Sequence, residues 1–517
     1  MTKGGSLLRR LIALALLALL AAPAEAEWLR AESPNFVVYS EGSRSRLRER
    51  VLLLEDFDRL LRMLASEQAP APKLHVYIVG GIDDLRIVRP VADGIAGYYV
   101  ASDDGIAAFV NGRAEGGGNE TLLHEYTHHF MRQHMRGAYP AWYVEGFAEY
   151  FATVRFTSRR IEIGNYSRGR AAQILSGQWL PMERVLAGGP EGLNVAAMSA
   201  FYAQSWLLVH YFYSTPERQQ ALARLLGASR RGGDAEQALR IATGLTPEGL
   251  RDELRRYIRP GSIAYRYAPR GSAESPPPIA VTQLPAAADD LIPYEAALRV
   301  GILEANRQPH LERIRTLAAR HPDDPLAMRV LAHAETRYGD AAAADRLLDR
   351  LLARAPNDAE LLYLKGMRLL AAAEGDDPPA GAAAEARSWF ARARAADPNH
   401  FQALVRYVES LRAEPGALSE EARDMLLEAS RLAPQVASLA LNAANLLIAR
   451  GDYDEAIRLL EPLAANPHDQ GLAEVARRLL DRAAARRMAG PAGDPAEGGE
   501  KPAAKPGEEA APEAEAE

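Results

Sequence analysis

Short apolar runs at "NFVVYS" (Asn35–Ser40) and "LHVYIV" (Leu74–Val79) predict two strands, and helical spacing of apolar residues from Leu47 to Leu64 predicts a helix between them. "GIAGYYVASDDGIAAFV" (Gly94–Val110) reads as a hairpin turning at Asp104-Gly105, because Asp-Gly supplies the positive φ that tight hairpins need. Gly116 to Gly118 then interrupt the chain, Asn119 can cap, and a helix is predicted from about Glu120 to His134 ahead of Gly137. Pro140 suits the first turn of a further helix, whose periodic apolar residues Trp142, Phe147 and Phe151 bury one side.

The second half is patterned differently: Ala, Leu and Arg dominate, and prolines close apparent helix pairs at Pro322, Pro356, Pro398, Pro434 and Pro467. Their spacings are 34, 42, 36 and 33, the longest containing an insertion around "EGDDPPAG" (Glu374–Gly381). A period of about 34 is that of the tetratricopeptide (TPR) helix-turn-helix unit. "ARGDYDEAIRLLEPLAANP" (Ala449–Pro467) resembles the TPR consensus, and "YGDAAAADRLLDRLLARAP" (Tyr338–Pro356) keeps small Ala344 where two helices must approach closely. An unrelated helical solenoid is the alternative, and either array offers a surface for protein or peptide. The Pro- and Ala-rich stretch between the halves predicts a linker at 263–290. The mixed domain at 27–262 is then expected to fold and bind metal by itself, in a chain ending near Pro278, with the repeats at 291–488 recruiting a partner or substrate.

Composition narrows the chemistry. With no cysteine there is no thiolate site, Cys nucleophile or disulfide, so a metal must use His and carboxylates. A net charge of -7 offers no basic patch for nucleic acid. The tail at 489–517, rich in Ala, Pro and Glu, cannot bury a core and reads as disordered. At the other end, Lys3, Arg9 and Arg10 precede an apolar run from Leu11 to Leu20 and an A-x-A site at Ala24 and Ala26, which predicts a cleaved signal peptide over 1–26. The run is shorter than the roughly 20 residues of a membrane span. Export to the periplasm or the medium is expected, with no transmembrane segment after cleavage.

"HEYTHHF" (His124–Phe130) then stands out in a chain with 11 His. His124 and His128 project about 40° apart on one helical face and can reach one ion, with Glu125 beside them as general base. A hydrolytic zinc takes three protein ligands and keeps one open position. His134 has the spacing of a metzincin third ligand, but Met131 stands where that pattern has its helix-ending glycine. On an unbroken helix His134 lies about 15 Å further along the axis, and it reads as solvated or outside the ligand set. In "PAWYVEGFAEYF" (Pro140–Phe151), Glu145 and Glu149 are one turn apart, so a second helix can present Glu145 to the ion with Glu149 behind it to hold a ligand histidine. His129 points away from the ligand face and reads as packed or hydrogen-bonded.

"HEYTHHF...PAWYVEGFAEYF" resembles the gluzincin, or peptidase-MA-like, metallopeptidases, over roughly Trp28 to Ile258. The resemblance implies an α+β zincin-like peptidase domain ahead of the all-α TPR solenoid, one Zn2+ ligated by His124, His128 and Glu145, Glu125 as general base toward a zinc-activated water, and Glu149 behind the ligands, holding a ligand histidine. The G-x-M-E-N segment of amino-terminal peptidases is missing from "GIAAFVNGRAEGG" (Gly105–Gly117), so internal cleavage of a protein or peptide is expected. By the same resemblance Tyr202, in "FYAQSW", donates to the oxyanion; a core tyrosine beside Phe201 and Trp206 is the alternative. The rival function is a catalytically silent peptidase-like domain in a TPR interaction scaffold.

Overall fold

The computed structural model describes residues 28–65, 71–113, 118–135, 137–229, 234–258, 266–269, 276–375, 377–411, 419–465 and 470–489. The expected signal peptide, and the expected tail from residue 490 onward, lie outside the described residues.

Strand β1 (Trp28–Glu32) runs antiparallel to β2 (Phe36–Glu41), and helix α1 (Arg44–Ala65) crosses to β3 (Leu74–Val79), which is parallel to β2. After α2 (Ile82–Val88) the chain forms the hairpin β4 (Gly97–Ala101) and β5 (Ile106–Asn111), with β5 parallel to β3. The turn closes through two backbone hydrogen bonds between Ser102 and Gly105, so it centres on Asp103-Asp104, one residue earlier than expected. Gly105 is outside the left-handed region. It is needed because a Cβ there would sit 2.3 Å from the Arg299 carbonyl oxygen.

Helix α3 (Asn119–His134) follows, starting at a left-handed Gly118 whose φ of 76° and contact with Val110 and Asn111 leave no room for a side chain; Asn119 is the first helical residue, not the cap. Next come α4 (Ala141–Ala152), the short strands β6 (Arg155–Phe156) and β7 (Arg160–Ile163), and helices α5 (Arg168–Leu175), α6 (Met182–Ala187) and α7 (Val195–Tyr213). Helices α8 (Pro216–Ser229), α9 (Ala235–Thr243) and α10 (Pro247–Tyr257) complete this region, and β8 (Arg266–Pro269) joins β6 and β7 in a small second sheet.

The expected linker at 263–290 lies partly outside the described residues. Within it, β9 (Ala280–Gln283) pairs antiparallel with β1, making the sheet six-stranded in the order β4-β5-β3-β2-β1-β9. Helix α11 (Ala287–Arg299) then lies on the sheet face opposite α1 and α3, where Ala288, Leu291 and Ile292 pack in one core with Tyr77 and Phe109. The sheet therefore buries one face against its own region and the other against the helical half. Each face alternates along the strands, Val38, Val76 and Ala108 one way and Tyr39, Tyr77 and Phe109 the other.

The rest is helical, as the Ala/Leu/Arg pattern predicts. Helix α12 (Arg307–Ala318) leads into pairs α13 (Pro325–Tyr338) with α14 (Ala341–Arg354), α15 (Ala359–Ala373) with α16 (Ala382–Ala396), α17 (Phe401–Ser410) with α18 (Glu420–Leu432), and α19 (Ala437–Arg450) with α20 (Tyr453–Ala464), before α21 (Gln470–Ala489). Asp324, Asp340 and Asp358 each accept a backbone N–H at a helix start, which places these boundaries. Among the described residues no helix is long and apolar enough to cross a membrane.

The β4–β5 hairpin tip docks on the first helices of three of these pairs, α13, α17 and α19. Asp104 accepts from Arg337 at 2.5 Å, with Arg406 at 3.7 Å, its carbonyl accepts from Gln402 at 3.1 Å, and Ser438 donates to Asp103. Burial opposes the Asp104 charge, but Arg337 and Arg406 outweigh it and hold the carboxyl below its ordinary range. Gln133 near the end of α3 donates to the Leu432 carbonyl at 3.1 Å. The two halves share their cores.

Candidate metal centre

Helix α3 is buried almost all round, from Thr121 to Met131, so its rotation decides which side chains meet. Two polar contacts fix it. Tyr126 donates to Asp58 of α1, which Arg62 also grips, and Tyr99 of β4 bonds His129 Nδ1 at 3.0 Å. Burial pushes His129 down to about 3 and Tyr99 up, so the contact joins two neutral groups. With α3 clamped, His124 and His128 turn toward α4.

Helix α4 approaches α7 so closely at Gly146 that a Cβ would lie 2.2 Å from the Ser205 carbonyl oxygen. This contact sets Glu145 against the histidines. His124 Nε2 and His128 Nε2 are 2.9 Å apart, and Glu145 Oε2 is 3.6 Å from the first and 3.4 Å from the second. Burial alone would raise the Glu145 carboxyl, but its interactions with His128 and His124 outweigh that and hold the group well below the usual carboxylate range. Two imidazole nitrogens and a carboxylate oxygen are a donor set for a borderline divalent ion. Zinc bonds of about 2.0–2.2 Å at tetrahedral angles place donors about 3.3–3.6 Å apart; both distances to Glu145 fall in that range, and the two histidine nitrogens stand closer, at 2.9 Å. Among the described residues this is the one cluster of three such ligands.

Glu125 follows His124 on α3 and is buried. Glu149, one turn after Glu145, places Oε1 3.6 Å from His124 Nδ1, on the ring side away from the cluster. Tyr202 of α7 is 1% exposed, and its ring meets that of His124 edge-on at 6.4 Å. His134 is not brought to the cluster: it ends α3, and its ring packs on Phe130 at 4.8 Å.

Sequence reasoning missed Arg170. Its Nε and Nη2 donate to the two oxygens of Glu149 at 3.0 and 2.6 Å, and its guanidinium lies over the Tyr202 ring at 5.1 Å. "SRGR" (Ser167–Arg170) carries no pattern that separates Arg170 from Arg168; only the fold of α5 against α7 selects it.

No protein-family profile matches the chain, and no curated protein matches it. Among solved structures it is similar to the crystal structure of yeast Tom70, at 14% identity and a TM-score of 0.28, over 72% of this chain and 73% of that one. At that score the superposition carries no argument about fold or function. The chain folds as an α/β region with a buried His-His-Glu cluster, closed on one face by an array of helix pairs.

Proposed function

We propose that the chain is an exported zinc-dependent peptidase of the gluzincin type that cleaves internal peptide bonds. One observation carries the reading: His124 and His128, on the H-E-x-x-H helix that also bears Glu125, converge with Glu145 of α4, each offering one ligand atom within 4.8 Å of the others. Zinc held by these three residues would polarise a peptide carbonyl and make water acidic enough to attack it near neutral pH. Glu125 takes the proton of the attacking water and passes it to the leaving amine. Tyr202 donates to the oxygen on which negative charge develops, a contribution on the order of a hundredfold in turnover. Glu149 Oε1 stands 3.6 Å from His124 Nδ1, on the side from which it would hold the ring with Nε2 toward the ion. The helix pairs are read as TPR repeats that bind a protein partner through surface beyond the residues holding the hairpin.

A second reading is a silent peptidase-like domain in a TPR scaffold. It draws on the extent of the helical array, more than a third of the chain with no metal-ligand cluster among its described residues. The two part on one experiment with the full chain: metal content after mild preparation, and hydrolysis of an unstructured protein such as casein by wild type and Glu125→Gln. Near-stoichiometric zinc in both proteins, with hydrolysis lost by several orders of magnitude in the variant, supports the enzyme. Zinc-free wild type, or wild-type turnover in Glu125→Gln, rules it out.

A further inference from the structure

We propose that Arg170 is a positioning residue of the metal centre, acting through Glu149 to fix His124 and through its guanidinium face to fix Tyr202. The inference rests on the zinc site proposed above, and on three contacts that meet at one side chain.

The first is the fork. Arg170 donates through Nε and Nη2 to both oxygens of Glu149, so the carboxylate is held in plane and cannot rotate. Each carboxylate oxygen has two acceptor positions, and the second position of Oε1 is left for His124 Nδ1, 3.6 Å away. A closure of about half an ångström makes this a hydrogen bond. That bond fixes the tautomer: a proton on Nδ1 frees Nε2, the nitrogen that faces His128 and Glu145.

The second contact is electrostatic. Glu145 and Glu149 lie one turn apart on a buried helix, both beside His124. Without a cation of its own, Glu149 would add a second uncompensated carboxylate and compete with Glu145 for the ion. Arg170 neutralises it in place. Lysine would not do the same, since a single ammonium cannot hold both oxygens in plane.

The third is the contact of the guanidinium with the face of Tyr202, a ring that also meets that of His124 edge-on. Loss of the cation frees the ring as well as the carboxylate. A plain surface staple would show none of this convergence. Glu149 is 5% exposed and the Arg170 side chain only 16%, so the pair is neither solvated nor incidental.

The test is zinc affinity of the full chain, by competition with a chromophoric chelator, for wild type, Arg170→Met, Arg170→Lys, Glu149→Gln and the Arg170→Met/Glu149→Gln pair. The melting temperature of each metal-free protein is followed alongside. Arg170→Met should bind zinc about 10–100-fold more weakly, the range for partners that orient a ligand. Arg170→Lys should recover little, and the double variant should bind no more weakly than Glu149→Gln alone, because the arginine acts through the glutamate. Wild-type affinity in Arg170→Met overturns the proposal, as do losses that multiply in the double variant. Should Arg170→Met fold poorly without metal, Arg170→Lys decides: wild-type affinity there means that charge alone suffices and the fork has no role. A wild type that takes up no zinc overturns this inference together with the proposed function. A wild type that binds zinc but cleaves nothing removes only the peptidase reading.

Discussion

Gly146 lies so close to Ser205 that any side chain would occupy the space of the Ser205 carbonyl oxygen, 2.2 Å from the position of a Cβ. The glycine sits next to Glu145 on α4, and Ser205 is three residues from Tyr202 on α7, so one close approach sets the depth of both functional side chains. Gly146→Ala should force the helices apart. Overpacking of this kind costs about 1–3 kcal/mol, and the displacement should also weaken zinc binding. Thermal melting of the metal-free protein and a chelator titration read the two effects separately. An alanine variant with wild-type melting and wild-type affinity would mean that the helices are not held this close in solution.

Glu145, and not His134, should complete the ligand set. Its carboxylate is fully buried 3.4 Å from His128 Nε2, while His134 packs on Phe130 at the far end of the helix. Zinc affinity should fall by more than about a hundredfold in Glu145→Ala, beyond the loss typical of residues that only orient a ligand. His134→Ala should retain affinity. The reverse ranking sinks the ligand assignment.

Much of this site is legible in the sequence because it is local. A helical period of 3.6 residues places His124 and His128 on one face, and Glu145 and Glu149 on another, before any tertiary contact is known. The strands at β2 and β3, the hairpin, and the unbroken helix through Met131 follow from equally local patterns. What local pattern does not carry is pairing at a distance. "AVTQ" at β9 is four residues in a Pro- and Ala-rich stretch, and becomes a strand only because β1 offers an open edge 250 residues away. "WLRAE" at β1 went unread for the same reason. Arg170 is one of many arginines until α5 folds against α7. The docking of Asp104 on Arg337 and Arg406 depends on three segments that no periodicity connects.

Acid should loosen the junction of the two halves. Burial, against the negative charges of Glu360 and Glu295 and with help from the positive charges of Arg337 and Arg299, pushes His333 of α13 down to about 4. The unfolded chain takes up this proton near pH 6.5, and the folded chain only near 4. Between these values the unfolded state binds more protons, so the contribution is complete above pH 6.5 and is lost as pH falls toward 4. Urea unfolding at pH 7.0 and 4.5 should show a smaller loss of stability in His333→Gln than in wild type. An equal loss in the two proteins would remove His333 from the account.

A chain ending near Pro278 should not fold into a working unit. Such a chain lacks β9, which leaves β1 as an exposed edge, and lacks α11, which leaves Tyr77 and Phe109 facing water on a sheet built to be covered on both sides. It also loses the hydrogen bond from Tyr77 to Glu295, the grip of Arg299 on Tyr77 at 2.9 Å, and the Arg337 partner of Asp104 at the hairpin tip. Because β4 and α3 meet through Tyr99 and His129, disorder in the hairpin reaches the helix that carries the ligands. The truncated protein is therefore expected to aggregate or to lack a cooperative unfolding transition, and to bind zinc far more weakly than the full chain. Near-ultraviolet circular dichroism, sedimentation and zinc affinity of the two proteins decide the matter. A monomeric, cooperatively folded fragment with full zinc affinity would make the helical half a separable recruiting module after all, and the shared sheet would have to be dispensable for the site.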